Sequence, residues 1–292
     1  MSVIDGLEQI ARRDEPLAPY TWFRIGGAAD YFAEPTNLDE LSTLVARCRE
    51  QDVPVRMLGG GSNILVRDEG VAGLVVRLQG EAFQKISIQA DRAVAAGGAK
   101  LGHVISSAVR EGLGGLETLV GIPGTIGGAL HGNAGGRGGD VGQWVARAQV
   151  MTLHGDIIDR MGEDLVFSYR ESSLDELVIL EAEFKLEAAD PEELTKRMQK
   201  QWIVKKASQP LAHQSAGCIF KNPRGMSAGM LIEQAGLKGL TVGKCQVSER
   251  HANFILAEEG ATSADCIRLI EQIRGTVEQR LGVELVNEIQ IW

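Results

Sequence analysis

One stretch limits the folds open to this chain more than any other. Residues 112–142 read GLGGLETLVGIPGTIGGALHGNAGGRGGDVG. The glycines are not low-complexity filler, because Leu116, Leu119, Val120, Ile122, Ile126 and Leu130 recur between them and let the segment bury itself. Glycine admits φ > 0 and lets another backbone or a ligand approach closely. A buried glycine-rich wall therefore means tight backbone packing or backbone contact with a ligand. Successive N–H groups form anion-binding nests, so a pyrophosphate fits best. The alternative is a tightly wound turn cluster that holds nothing.

A second glycine turn narrows the choice. VPVRML reads as a short strand running into Gly59, Gly60, Gly61, Ser62 and Asn63, after which the chain resumes as ILVRD. Strand, glycine turn and strand with no helix following is not a Rossmann turn, and the run from Gly239 through Gly243 to Lys244 lacks P-loop spacing. Further strands are expected at LVVRL, KISIQA, AVAAG, WVARAQVMTL, DIIDRM and LVILEAEFKLE. Asn37 with Glu40 three residues on has the spacing of a capping box, and KLGHVISSAVREG reads as a helix ending at Gly112. Asp190, Pro191 and Glu193 open a long helix. These signals predict an α+β fold: a lead-in helix over 1–19, a first domain over 20–187 and a smaller α/β domain over 188–292. The last domain would carry helices at SAGMLIEQAG and 262–281 and a final strand in VELVNEIQIW.

Composition excludes several functions. A net charge of −9 opposes a general nucleic-acid or anionic-membrane surface, so an anionic substrate needs a local basic pocket. No apolar run has the length of a membrane span, and MSVIDGLEQIARRDE lacks a signal peptide's apolar core. Cys48, Cys218, Cys245 and Cys266 are scattered without a C-x-x-C pair, which argues against a zinc site or disulfide framework and for a reducing cytosol. Cys48 and Cys266 fall in helical apolar patterns and read as inert core residues. His103, His131, His213 and His251 lie too far apart in sequence to suggest a metal site.

Three polar positions stand out: Arg170 in FSYRES, Cys218 in SAGCIFKNP and Glu288 in the final strand. Taken singly, each has a plain reading: a solvent-facing turn residue, a small buried apolar residue and an outward strand residue. Lys205, Lys206, Lys221, Arg224, Lys238 and Lys244 could gather around an anion or remain scattered solvated cations.

Taken together, WFRIGG, LGGGSNILV, GLETLVGIPGTIGGALHGNAG, FSYRES, AGCIFKNP, LIEQAGLKG, VSERHANFIL and the terminal glutamate strand resemble the UDP-N-acetylenolpyruvoylglucosamine reductase family, in its shorter form. The resemblance runs from about Thr21 to Ile291. It implies an FAD-binding domain of the vanillyl-alcohol oxidase type, made of two α+β subdomains and followed by a substrate domain. FAD would be held by Leu58, Gly59, Gly60, Gly61, Ser62, Asn63 and Ile64 and by Gly121, Ile122, Pro123, Gly124, Thr125, Gly127, Gly128, Asn133 and Gly135. With no histidine in or beside GGGSN, the FAD would be non-covalent. NADPH would be the co-substrate, and the substrate a UDP-linked amino-sugar enolpyruvyl ether of peptidoglycan precursor synthesis. With the composition read above, the expectation is a cytoplasmic protein, a monomer rather than an oligomer, without metal, nucleic acid or membrane.

Arg170 would hold the substrate carboxylate and Glu288 would hydrogen-bond the developing enol. Cys218 stands where the family usually has a serine proton donor; a thiol titrates near about 8.5, so it is the stronger acid. Tyr169, Lys205, Lys206, Lys221, Asn222 and His251 would line the substrate, with Lys205 or Lys206 replacing an arginine on the diphosphate. Ala257, where relatives often carry asparagine, has no evident consequence. Two other readings remain at this level: a flavin oxidase acting on an alcohol, and a non-catalytic nucleotide-binding protein.

Overall fold

The computed structural model describes residues 2–136 and 138–292. The chain divides into two interleaved units: one holds the residues up to Asp14, Asp30–Gly60 and Ala72–Val204, the other Glu15–Ala29, Gly61–Val71 and Lys205–Trp292. Of the five crossings, three fall inside strands, one inside the long helix and one between Gly60 and Gly61.

The first unit has two cores. Strands Ala11–Pro16, Ala28–Ala33, Val71–Val76 and Val55–Met57 form a four-stranded sheet in that order. Helix α1 (Leu38–Glu50) buries Leu41, Leu44, Val45 and Cys48 in one core with Ala33, Leu74 and Val76. Its cap departs slightly from the expected box. Asn37 Oδ1 accepts the Glu40 N–H at 3.0 Å, but the Glu40 carboxylate reaches back to the Thr36 N–H, at 2.7 Å. The second core lies on an antiparallel five-stranded sheet ordered Ile157–Met161, Val145–Met151, Val178–Lys185, Arg92–Ala96 and Ile86–Gln89. Helix α2 (Leu101–Arg110) contributes Leu101, Val104, Ile105, Ala108 and Val109, spaced to share one helix face. Helix α3 (Ile126–His131) is a short turn inside the glycine-rich stretch. Helix α4 (Pro191–Ser208) starts as expected, with Asp190 Oδ1 accepting the Glu192 and Glu193 N–H groups at 2.8 and 3.0 Å.

The second unit packs helices α5 (Ala228–Gln234) and α6 (Ser263–Leu281) on an antiparallel sheet of Thr241–Val242, Cys245–Val247 and Ile255–Ala257. Cys266, Leu269, Ile270, Ile273 and Val277 of α6 enter a core that also takes Phe23, Ile25 and Leu65 from far earlier in the chain. Thr262 caps α6 and Gly282, at φ 67°, ends it. Among the described residues no helix is long and apolar enough to cross a membrane.

Three expectations change. Among the described residues 2–19 no α-helix forms: Gly6 is left-handed (φ 74°), residues 11–16 pair as a strand, and only a short 3-10 turn follows at Ala18–Tyr20. The long helix does not open the second unit, because the division falls within it, after Val204. Cys245 and Cys266 are joined as a disulfide with Cα atoms 5.6 Å apart, so Cys266 is not an isolated core thiol. Cysteine spacing missed the pair because sheet-on-helix packing, not sequence, brings the two together.

Candidate active site

The two glycine turns meet. Leu58 follows strand Val55–Met57 and donates its N–H to Val76 O at 2.8 Å, which aims the chain at Gly59. A Cβ on Gly60 would stand 2.8 Å from the Gly124 Cα, and one on Gly59 would stand 2.8 Å from Thr125 Oγ1. Residues 59–60 and 121–128 thus make one backbone surface, with Gly121 and Gly124 at φ 77° and 114°. Thr125 Oγ1 accepts the Gly128 N–H at 3.4 Å, and the Gly127 N–H closes onto Gly97 O at 2.7 Å. Glycine lets the turns pack this closely, and turns of this kind present N–H groups to an anion such as a pyrophosphate, so these residues fit FAD. Gly135 lies beyond, paired antiparallel with Asp140.

Arg170 sits at the tip of a hairpin formed by Phe167–Ser168 and Glu171–Ser172. Its φ of 60° is left-handed, a costly conformation for a side-chain-bearing residue, held only where the surroundings impose it. The imposing contacts come from the end of the glycine stretch. Asn133, 1 % exposed, donates from Nδ2 to Ser168 O at 2.6 Å and accepts the Gly142 N–H on Oδ1 at 3.0 Å. The Ser172 hydroxyl donates to His131 O at 3.1 Å, and His131 Nδ1 lies 3.2 Å from Leu174 O. The Asn133 side chain, expected on FAD, is thus committed to the hairpin that presents Arg170. The Arg170 guanidinium lies 5.2 Å over the Tyr169 ring.

Cys218 and Glu288 lie in the second unit, on backbones that hydrogen-bond to each other. The Glu288 N–H donates to Ile219 O at 2.7 Å and the Lys221 N–H to Val286 O at 2.8 Å, with Phe220 bridging Asn287. The other edge of the terminal segment meets the glycine turn: the Gln290 N–H donates to Asn63 O and Asn63 Nδ2 to Glu288 O, at 3.0 and 3.1 Å. Strands Ile64–Leu65 and Gln290–Ile291 then run parallel. Gly61, at φ 64°, leaves no room for a side chain, since its Cβ would stand 2.0 Å from Tyr20 O. Ser62, Asn63, Cys218, Lys221 and Glu288 are therefore gathered by three adjoining segments.

The remaining expected residues are more dispersed. His251 packs edge-on against Phe254, with ring centres 4.8 Å apart, and its Nδ1 accepts the Asn253 N–H. Asn222 Oδ1 accepts the Ala228 N–H at the start of α5. Lys205 and Lys206 occupy the last turn of α4. No group of three or more His, Cys, Asp or Glu among the described residues could hold a metal ion. Sequence reading passed over Asn253, which is 2 % exposed; its signal was a carboxamide set among apolar residues in HANFIL.

An FAD binding domain model matches residues 29–160. The fold recurs in a berberine bridge enzyme variant described as a reticuline dehydrogenase, with TM-score 0.52 at 17% identity over 65% of this chain and 44% of that one. The class defined at this level is that of chains with an FAD-binding domain of this fold. A second model, UDP-N-acetylenolpyruvoylglucosamine reductase, C-terminal domain, matches residues 209–292. The crystal structure of UDP-N-acetylenolpyruvylglucosamine reductase from Thermus caldophilus superposes with TM-score 0.83 at 36% identity, covering 97% of this chain and 98% of that one. UDP-N-acetylenolpyruvoylglucosamine reductase 2 of Symbiobacterium thermophilum is 45% identical over 96% of this chain and 92% of its own length. The Heliobacterium modesticaldum reductase is 41% identical over 96% and 90%. The chain belongs to the UDP-N-acetylenolpyruvoylglucosamine reductase family of FAD-containing oxidoreductases.

Proposed function

We propose that the protein reduces UDP-N-acetylglucosamine enolpyruvate to UDP-N-acetylmuramate with NADPH, as a cytoplasmic monomer in peptidoglycan precursor synthesis. The observation that carries this reading is the hydrogen-bonded juxtaposition of the Cys218 and Glu288 segments beside Asn63. An alcohol oxidase has no need of that pairing. The glycine turns at 59–64 and 121–128 would hold FAD non-covalently, and the flavin would supply the hydride chemistry that links NADPH to the methylene carbon of the enolpyruvyl ether.

The chain's residues do the rest. A vinyl ether accepts hydride poorly unless the charge that develops on the adjacent carbon and its carboxylate is stabilised in place. Arg170 binds that carboxylate with two parallel N–H donors. Glu288, as the neutral acid, hydrogen-bonds the developing enol. Cys218 then gives its Sγ proton to the alpha carbon, and solvent reprotonates the thiolate. Lys205 or Lys206 supplies a point charge to the diphosphate, while Tyr169, Lys221, Asn222 and His251 shape the nucleotide-sugar site.

Purified protein mixed with NADPH and the enolpyruvyl nucleotide tests the reading. NADPH oxidation should require the nucleotide and match it mole for mole. Oxidation indifferent to the nucleotide, or turnover of an alcohol instead, would overturn it. Acid precipitation should leave yellow flavin in the supernatant; flavin kept in the pellet would contradict non-covalent binding.

A further inference from the structure

Asn253 is buried, and its carboxamide is committed to the segment that carries Cys218. Its Oδ1 accepts the Phe220 N–H at 3.0 Å and its Nδ2 donates to Phe220 O at 2.8 Å. Its own carbonyl takes the Ile219 N–H at 2.9 Å. One side chain thereby satisfies both backbone groups of Phe220, as a neighbouring strand would. On the other edge of the same segment, Ile219 O accepts from Glu288 at 2.7 Å and from Ile289 at 3.3 Å. Two residues of the terminal segment oppose one, the arrangement of a bulge, which re-aims a side chain. Register in such a pairing decides which side chains reach the site, since a one-residue slip turns each to the other face.

We infer that Asn253 is a positioning residue of the reduction: by clamping Phe220 it locks the register of residues 218–221 against 286–289, and so sets where the Cys218 thiol and Glu288 carboxyl stand. This rests on the roles given to Cys218 and Glu288 above.

The variant Asn253→Asp keeps the shape and the acceptor for the Phe220 N–H but replaces the donor to Phe220 O. Single-turnover absorbance of the FAD-loaded enzyme reads the two half-reactions separately. Flavin reduction by NADPH should stay within about twofold of wild type, while reduction of the enolpyruvyl nucleotide should slow about 10- to 100-fold, the scale of a small misplacement of catalytic groups. In a Cys218→Ala background the further loss should shrink, because the two residues act through one group. An unchanged nucleotide step in folded, FAD-loaded Asn253→Asp overturns the inference, as does equal slowing of both half-reactions. If Asn253→Asp does not fold, Asn253→Ser, which keeps one small polar group at the site, is read by the same two rates. Cys218→Ala and Glu288→Gln are run alongside. If both keep a full nucleotide step, the assigned roles fail and the inference falls with them. If both lose it and neither Asn253 variant does, only the positioning claim fails.

Discussion

Arg170 and Cys218 reach their places by opposite means. Arg170 rides on a two-residue turn at φ 60°, and side chains outside the hairpin, above all Asn133, hold it there. Cys218 enters a short ladder, bulged against the terminal segment on one edge and held by the Asn253 carboxamide on the other. The turn stores strain; the ladder does not. In the proposed roles, a guanidinium that reaches for a carboxylate suits a strained tip, whereas a proton donor held in fixed relation to a partner acid suits a ladder.

The largest effect should come on the ladder side. Cys218→Ala should slow nucleotide reduction by about 10²- to 10⁴-fold, the range for a general acid, and leave flavin reduction by NADPH intact. Cys218→Ser should keep substantial activity. The donor must be protonated, so wild-type activity should fall as pH rises through the thiol's ionisation, and the serine variant should lose that alkaline limb. A fully active Cys218→Ala enzyme would sink the role.

On the hairpin side, Arg170→Ala should cost about 10²- to 10³-fold in the nucleotide step only, as for loss of a group that stabilises developing charge. Stopped-flow traces in which both half-reactions slow alike would contradict this. Asn133→Ala should destabilise the fold by about 0.5–1.5 kcal/mol, because the buried carboxamide's hydrogen bonds to Ser168 O and the Gly142 N–H are lost. It should also weaken the nucleotide step through the hairpin, and urea melts beside single-turnover rates check both. Arg170→Gly separates strain from chemistry: it should lose the nucleotide step yet gain about 1 kcal/mol of stability, since glycine accepts this φ. A denaturation midpoint equal to wild type would show the turn to be unstrained.

The smallest effect concerns pH and the ladder's unit. Burial pushes the Asp265 carboxyl up. The Lys244 N–H, the Thr262 hydroxyl and N–H and the Arg268 guanidinium outweigh that and hold it below the usual carboxylate value. A lowered folded-state pKa contributes stability above the unfolded value of about 4, and that contribution fades as pH falls through the folded one. Thermal melts of wild type and Asp265→Asn should therefore converge in acid and separate toward neutrality. Parallel curves would remove Asp265 from the account.

Much of the local structure was legible because its causes lie within a few residues. Asn37, Asp190 and Thr262 cap helices by bonds to the residues just after them. The glycine turns and the strands of the five-stranded sheet announce themselves in the same way, whereas Arg170, Cys218 and Glu288 read plainly one by one and stand out only through the motifs taken together. Other features depend on segments far apart in the chain. They include the contact of Gly60 with Gly124, the strand that replaces a helix before Pro16, and the Cys245–Cys266 bond. The clamp of Asn253 on Phe220 and the hold of Asn133 on Ser168 belong with them. Strand pairing and core packing settle these together, because a buried polar group finds its partner only once the register of the neighbouring strand is set. Residue types and their local spacing thus determined what chemistry this chain could carry. Only the tertiary structure decided that the Asn133 and Asn253 carboxamides bond to the segments that bear Arg170 and Cys218.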